Sequence, residues 1–244
     1  PNPSVGLLID DIDFSGVGMP ATSFDVDQVE VLRGPQGTRY GANALAGLIN
    51  IRTTDPRPER ELRTELTAAE DGMTGVALVA GSAVDIAGDE SGAWRFAAQQ
   101  AHSDGFRRNR YLGRDDTNAR DELTLRGKLR LQPRAGWQVD LAALYADLDN
   151  GFDAFAPDNS FDTLSDRPGR DSQASAGTAL KIVGDLGDTT LRATTAYADS
   201  DIVYSFDGDW GNDAYWGEFA PYDYFSRYDR ERRTLSQDLR WLSK

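Results

Sequence analysis

Between Leu123 and Leu131 the chain alternates without a break. Leu123, Leu125, Gly127, Leu129 and Leu131 fall on one face of an extended strand, and Thr124, Arg126, Lys128 and Arg130 fall on the other. A solid protein core cannot take three cations from one strand face unless each finds a partner. The segment therefore reads as a wall between an apolar environment and a polar one. The same period of two recurs along the chain, giving eight candidate strands at 61–69, 75–85, 93–103, 121–131, 137–148, 175–184, 189–204 and 232–243. In the fifth, Trp137, Val139, Leu141, Ala143 and Tyr145 share a face with aromatic ends, as in a lipid-facing strand between two interfacial girdles. In the eighth, Leu235, Leu239 and Trp241 oppose Thr234, Ser236, Asp238 and Arg240, although Gln237 interrupts the apolar side. No stretch keeps a long helical period, so the chain reads as mostly β.

Composition narrows the environment. The mean hydropathy is −0.53, and no apolar run is long enough for a membrane-spanning helix. A transmembrane barrel shows just such a polar average, because only alternate residues face lipid. The net charge of −14 argues against nucleic acid as a partner. With no cysteine, disulfides and thiolate metal sites are excluded, and the single histidine, His102, leaves no histidine pair for a metal. His102 shares parity with Trp94, Phe96 and Ala98 and reads as a strand-end residue.

Connection lengths add an independent signal. Links near 70–74, 86–92, 132–136 and 185–188 are short, whereas those near 104–120, 149–174 and 205–231 are long. They alternate along the sheet, so one end carries tight turns and the other large loops, the layout of an outer-membrane barrel. A soluble acidic β-sandwich that binds a partner is the competing architecture. Residues 1–55 have a different texture, with glycines and short strands at Val5–Asp10, Val29–Leu32 and Leu48–Thr53, and a helical turn near Pro35. The two prolines at Pro56 and Pro58 mark a linker over 56–60.

The segment Val29-Glu30-Val31-Leu32-Arg33-Gly34-Pro35-Gln36-Gly37-Thr38, with Tyr40-Gly41 and Ala46-Gly47-Leu48-Ile49-Asn50-Ile51 after it, closely resembles the plug signature of TonB-dependent outer-membrane receptors. Arg39 stands where the family often has leucine, and Ala46 replaces the first glycine of a pair. The resemblance covers roughly residues 5–55. It implies a small mixed α/β plug followed by an antiparallel transmembrane β-barrel of about 22 strands, of which the eight counted here are a fragment. The expected division is residues 1–55 for the C-terminal part of the plug, 56–60 for a linker and 61–244 for the first barrel strands. The resemblance further implies energised uptake of a scarce ligand, most often an iron–siderophore complex, in the outer membrane of a Gram-negative bacterium. Cobalamin, haem and glycans are alternative cargoes, and a signal-transducing receptor is an alternative role. Its implied partners are TonB, with ExbB and ExbD, acting through a TonB box that lies outside this chain, together with outer-membrane lipid and lipopolysaccharide.

The plug motif residues Arg33, Gly34, Pro35, Gly37, Tyr40, Gly41, Gly47 and Asn50 read as structural. Gly37 is followed by Thr38-Arg39 rather than the lysine of a phosphate loop, and the glycines fit close packing and positive φ. The resemblance implies that Arg33 is paired with an acidic residue of the barrel wall, the strands outside this chain included. No catalytic set, cofactor motif or metal site emerges. Asp10, Asp11 and Asp13, like Asp207, Asp209 and Asp213, lack the spacing of a calcium loop and read as solvated acidic segments. The long loops offer Phe152, Phe155, Phe161, Trp210, Tyr215 and Trp216, with Arg167, Arg170 and Arg227, as a ligand-contacting surface.

Overall fold

A computed structural model of the chain describes residues 3–18, 23–40, 43–86 and 89–243. Gly41 of the motif lies outside the described residues. The first region forms a small four-stranded sheet from β1 (Val5–Ile9), β2 (Ile12–Asp13), β3 (Val26–Arg33) and β4 (Gly47–Thr53), in the order β2-β1-β4-β3. β1 runs parallel to β4, whereas β2 and β3 are antiparallel to their neighbours. A helical turn, α1 (Gly37–Tyr40), joins β3 to β4. The β1–β2 hairpin turns on Asp10 and Asp11, at φ 49° and 68°. Such values suit a two-residue hairpin and are tolerated by aspartate.

The second region is an antiparallel meander in which the expected eight strands appear in the expected order. They are β5 (Glu61–Ala68), β6 (Thr74–Ile86), β7 (Asp89–Ser103), β9 (Arg120–Arg134), β10 (Trp137–Phe152), β12 (Gly169–Asp185), β13 (Thr189–Asp207) and β14 (Phe225–Ser243). Two dipeptides in the long loops, β8 (Arg108–Asn109) and β11 (Asp162–Thr163), pair in parallel with each other. The long loops over 104–119, 153–168 and 208–224 all leave from one end of the sheet.

Several strands exceed their sequence pattern. β12 begins at Gly169 rather than 175, and β14 at Phe225 rather than 232. Apolar alternation marks only the lipid-facing stretch, about ten residues for a tilted strand. Backbone pairing needs no apolar side chains and continues beyond it. The outward apolar band runs from Leu62 through Trp94, Phe96, Leu141, Tyr145, Leu180 and Tyr197 to Leu239 and Trp241, all exposed. Immediately above Tyr145 and Tyr197, the same outward faces carry Asp147, Asp149, Asp199 and Asp201. The upper parts of the strands therefore stand in water.

The inner face of β10, β12 and β13 is lined by small residues. Ile9, Ile12 and Phe14 pack against Leu144, Ala146, Ala179, Ala196 and Ala198, forming one apolar cluster with Leu7 and Ile51. Gly177 brings the wall closest: a Cβ there would stand 2.7 Å from Ile12 Cγ2 and 2.8 Å from Phe14 Cζ. Gly177→Val should wedge the β1–β2 hairpin off the wall, with an overpacking cost of about 1–3 kcal/mol. Hydrogen exchange over residues 5–14 of the full-length protein should rise about tenfold or more, while exchange in the β12–β13 ladder stays unchanged. Unchanged exchange over 5–14 would contradict the close contact.

Candidate functional site

The polar inner face of β9 meets carboxylates of the first region rather than water. Lys128 Nζ lies 2.7 Å from Asp10 Oδ1 and donates to the Thr53 carbonyl at 2.8 Å. Asp10 also accepts from the Thr53 amide at 2.9 Å and hydroxyl at 2.6 Å. Arg130 spans Asp140 of the wall at 2.6 Å and Asp55, the last residue of the first region, at 3.1 Å. Arg126 donates to the Phe24 carbonyl. On β7, Arg95 forks onto Asp25 through Nη2 at 2.6 Å and Nε at 2.9 Å, and its Nη1 reaches Glu61 at 2.7 Å. Arg95 and Asp25 are only 6% and 4% exposed, so each depends on the other for its charge. Lys181 of β12 reaches Asp11 at 2.9 Å.

One expectation is corrected by this arrangement. Asp10 and Asp11 are wall contacts, and Asp13 accepts from the Ser15 amide at 2.8 Å and from Asn43 at 3.0 Å, so this cluster is not a solvated acidic segment. Arg33 is exposed and makes no ion pair among the described residues. It ends β3, and the ion pairs between the small sheet and these eight strands are made by cations of the strands. The β9 pattern had shown that partners were needed but not where they sit in the chain.

Other motif residues act locally. Gly34 has φ 82° and begins the turn. A Cβ at Gly47 would meet the Leu32 carbonyl oxygen at 2.8 Å, whereas Gly37 has open space and no positive φ, so only some of the glycines are required by geometry. Pro35 is exposed in that turn, the Tyr40 amide donates to the Gln36 carbonyl at 3.0 Å, and Asn50 donates to Glu30 across the sheet at 3.0 Å.

The three long loops share a polar core. Asn109 donates to Asp153 at 2.9 Å and to the Ser165 carbonyl at 2.8 Å, while the Thr163 hydroxyl donates to Asp153 at 2.7 Å. Asn212 caps the short helix α2 (Asp213–Trp216) through Tyr215 N and ties it to the Leu164 carbonyl at 2.7 Å. Beside this core, Phe155 stacks on Trp210 with centroids 5.2 Å apart, and Phe152 meets Tyr204 edge-on at 5.0 Å. Phe161 is largely exposed, with its edge to Phe106 at 6.0 Å, and Trp216 packs edge-on between Tyr215 and Tyr222. Arg167 pairs with Asp223 and lies over Phe225.

Arg170 and Arg227 fall on the outward faces of β12 and β14, paired with Asp149 at 2.7 Å and Asp229 at 2.8 Å. They point away from the space enclosed by the loops and do not converge with the aromatics. Asp207 and Asp209 are buried rather than solvated, and only Asp213 of that trio is exposed.

A small sheet held inside a meander by wall cations, with large loops at one end, is the geometry that comparison with known proteins has to match. Residues 2–48 match the family described as the TonB-dependent receptor plug domain. Over this region the chain is similar to the TonB-dependent receptors. It is 27% identical over 117 residues to the vitamin B12 transporter BtuB of Vibrio vulnificus strain YJ016, covering 48% of this chain and 18% of that protein. It is 46% identical over 55 residues to the pesticin receptor of Yersinia pestis, covering 22% of this chain and 8% of that one. The crystal structure of the ferric yersiniabactin uptake receptor FyuA from Yersinia pestis superposes with a TM-score of 0.73 at 21% identity, covering 98% of this chain and 37% of FyuA. The chain thus spans far less than two thirds of each relative's length. Its place is the outer membrane of a Gram-negative bacterium, so the small sheet is plug and the meander is barrel wall.

The ionic contacts between plug and wall have a defined pH dependence. Burial pulls the Asp55 carboxyl upward, but Lys128 and Arg130 outweigh it and hold Asp55 below the usual carboxylate range. A depressed carboxyl stabilises the folded form above its ordinary value, near 4, and that contribution is lost only as pH falls through the lower folded value. In the full-length receptor, Asp25→Ala should leave the buried Arg95 with Glu61 alone, at a cost of up to about 3 kcal/mol. Exchange over β3 and β4 should rise, and the double variant Asp25→Leu with Arg95→Met should recover most of the protection. Equal exchange in the native protein and Asp25→Ala would show that the fork carries no weight.

Proposed function

We propose that this chain is part of a receptor that takes a scarce ligand through the outer membrane using energy from TonB, and that the ligand is an iron–siderophore complex. The observation that carries the reading is the plug–wall contact. One side of the plug is closed by ion pairs and hydrogen bonds that water can replace with modest loss, which suits a barrier meant to be moved and restored. Residues 1–55 act as the C-terminal part of the plug, 56–60 as the linker and 61–244 as barrel wall. TonB, with ExbB and ExbD, acts through a segment outside these residues. The cycle is one of binding and release, with no bond made or broken in the ligand.

The loops over 104–119, 153–168 and 208–224 face the cell exterior. Phe155, Trp210 and Phe161 offer flat faces for a planar chelate. Tyr215 and Trp216 brace the 208–224 loop, and Phe152 supports Phe155 from below. Arg167 and Arg107 are cations of these loops, whereas Arg170 and Arg227 face the lipopolysaccharide. The three loops hold eleven carboxylates against five arginines, so a strongly anionic complex is repelled and a neutral or weakly charged one is favoured. The likeness to FyuA, a ferric yersiniabactin uptake receptor, agrees with iron as the cargo. A second reading, uptake of vitamin B12, is favoured by the longer sequence match to BtuB.

The full-length receptor, expressed in a strain lacking its own siderophore receptors, should restore growth on ferric siderophores under iron limitation, and only when TonB is present. Growth that tracks vitamin B12 supply would support the second reading, and restoration without TonB would refute both. Cysteine labelling on whole cells should reach Phe161→Cys but not Ala135→Cys, and the reverse pattern would invert the proposed orientation.

A further inference from the structure

The base of the loop over 208–224 is organised around two carboxyl groups, while its one ion pair, Arg167 with Asp223, lies at the surface. Asp207 ends β13 ten residues beyond Tyr197, clear of the apolar band, and Asp209 opens the loop. Their side chains are 7% and 5% exposed. Asp209 gathers the loop around itself, accepting from the Gly211 amide at 3.1 Å, the Tyr224 amide at 2.8 Å and the Trp216 indole at 3.2 Å. Three N–H donors suit a full negative charge. Asp207 is placed differently. Its Oδ1 accepts only the Asp209 amide, at 3.2 Å, and its Oδ2 is buried with no hydrogen bond made, the Ser165 hydroxyl being the donor beside it. Asp207 lines a cavity of about 10 Å³ with Asp153 and Ser165, otherwise walled by Phe155, Phe206 and Trp210. A carboxylate there lacks the donors its charge requires. A carboxylic acid needs only an acceptor, and Asp209, whose amide is bonded to Asp207 Oδ1, is the neighbouring carboxylate.

We propose that Asp207 and Asp209 hold one proton between them, and that this acid–carboxylate pair clasps the 208–224 loop onto the strand tops and releases it when the proton leaves. Burial, and then the charge of Asp209, push Asp207 up to about 6, against the pull of the Ser165 hydroxyl. Burial raises Asp209 too, but its Tyr224, Gly211 and Trp216 donors outweigh it and hold the group below the usual range. The charged groups around the pair do not neutralise a second charge. Asp153 is taken by Asn109 and Thr163. Burial, with Asp209 and Asp223, raises Asp166, and Arg167 is engaged by Asp223 at the surface.

A raised carboxyl stabilises the clasped loop fully below the ordinary value near 4, and that stability is lost as pH rises through about 6. Loop closure thus follows the acidity outside the cell, independently of which ligand the receptor takes.

The test is hydrogen exchange over 208–224 in the ligand-free, full-length receptor in lipid nanodiscs, corrected for intrinsic exchange. Moving a carboxyl from about 4 to about 6 gives about tenfold more opening at pH 7.5 than at pH 5. Asp207→Asn, uncharged throughout, should remove that difference. Because no ligand is present, failure here leaves the uptake reading standing. Protection independent of pH in the native receptor would overturn the proposal. So would protection restored at pH 7.5 by millimolar calcium, which would assign the cavity to a cation. If Asp207→Asn does not assemble, the midpoint in the native receptor decides: about 6 supports the shared proton, and about 4 overturns it.

Discussion

The inner face of β7 and β9 carries Arg95, Arg126, Lys128 and Arg130, and a wall of this kind holds together only if each cation finds oxygen. The plug supplies it. Asp10, Asp25, Asp55 and the carbonyls of Phe24 and Thr53 all lie opposite those side chains. The apolar outer face of the same strands then turns toward lipid, because one strand cannot bury both sets of side chains in one medium. The turn at Asp10-Asp11, the left-handed Asp25 at φ 54° and the Asp55 carboxylate are each placed where a wall cation needs them.

The plug meets the wall in two chemically different ways. Toward β10, β12 and β13 it presents Ile9, Ile12 and Phe14 to alanines and to Gly177, a close apolar contact whose loss exposes hydrocarbon to water. Toward β7 and β9 the contact is made of charges and hydrogen bonds, which water can satisfy in turn. The two contacts differ in what separating them leaves exposed. The apolar side fixes the plug's position, and the ionic side lets it separate without leaving an apolar void.

Above the apolar band the loops are organised by polar groups. Asn109, Asp153, Thr163, Asp209 and Asn212 fill the places that leucines would occupy in a soluble core. Long connections with little apolar content can adopt one arrangement only by satisfying backbone and side-chain hydrogen bonds among themselves. The aromatics then lie over this polar core, which leaves Phe155, Trp210 and Phe161 partly open to solvent.

The sequence by itself determined the meander. Period-two alternation with a charged face at Leu123–Leu131 allows only a two-sided wall, alternating link lengths set the end that bears the loops, and the Val29–Ile51 motif assigns the plug. These are local signals, carried by neighbours two residues apart or by a continuous motif. Tertiary structure alone decided which carboxylates answer the wall cations. Asp25 and Arg95 are 70 residues apart, and Lys128 meets Thr53 across 75, so no local pattern links them. For the same reason Asp207 and Asp209, read as solvated from their acidic surroundings, are buried. Strand alternation reports which face a residue occupies, whereas the partner on that face depends on how distant segments pack against it.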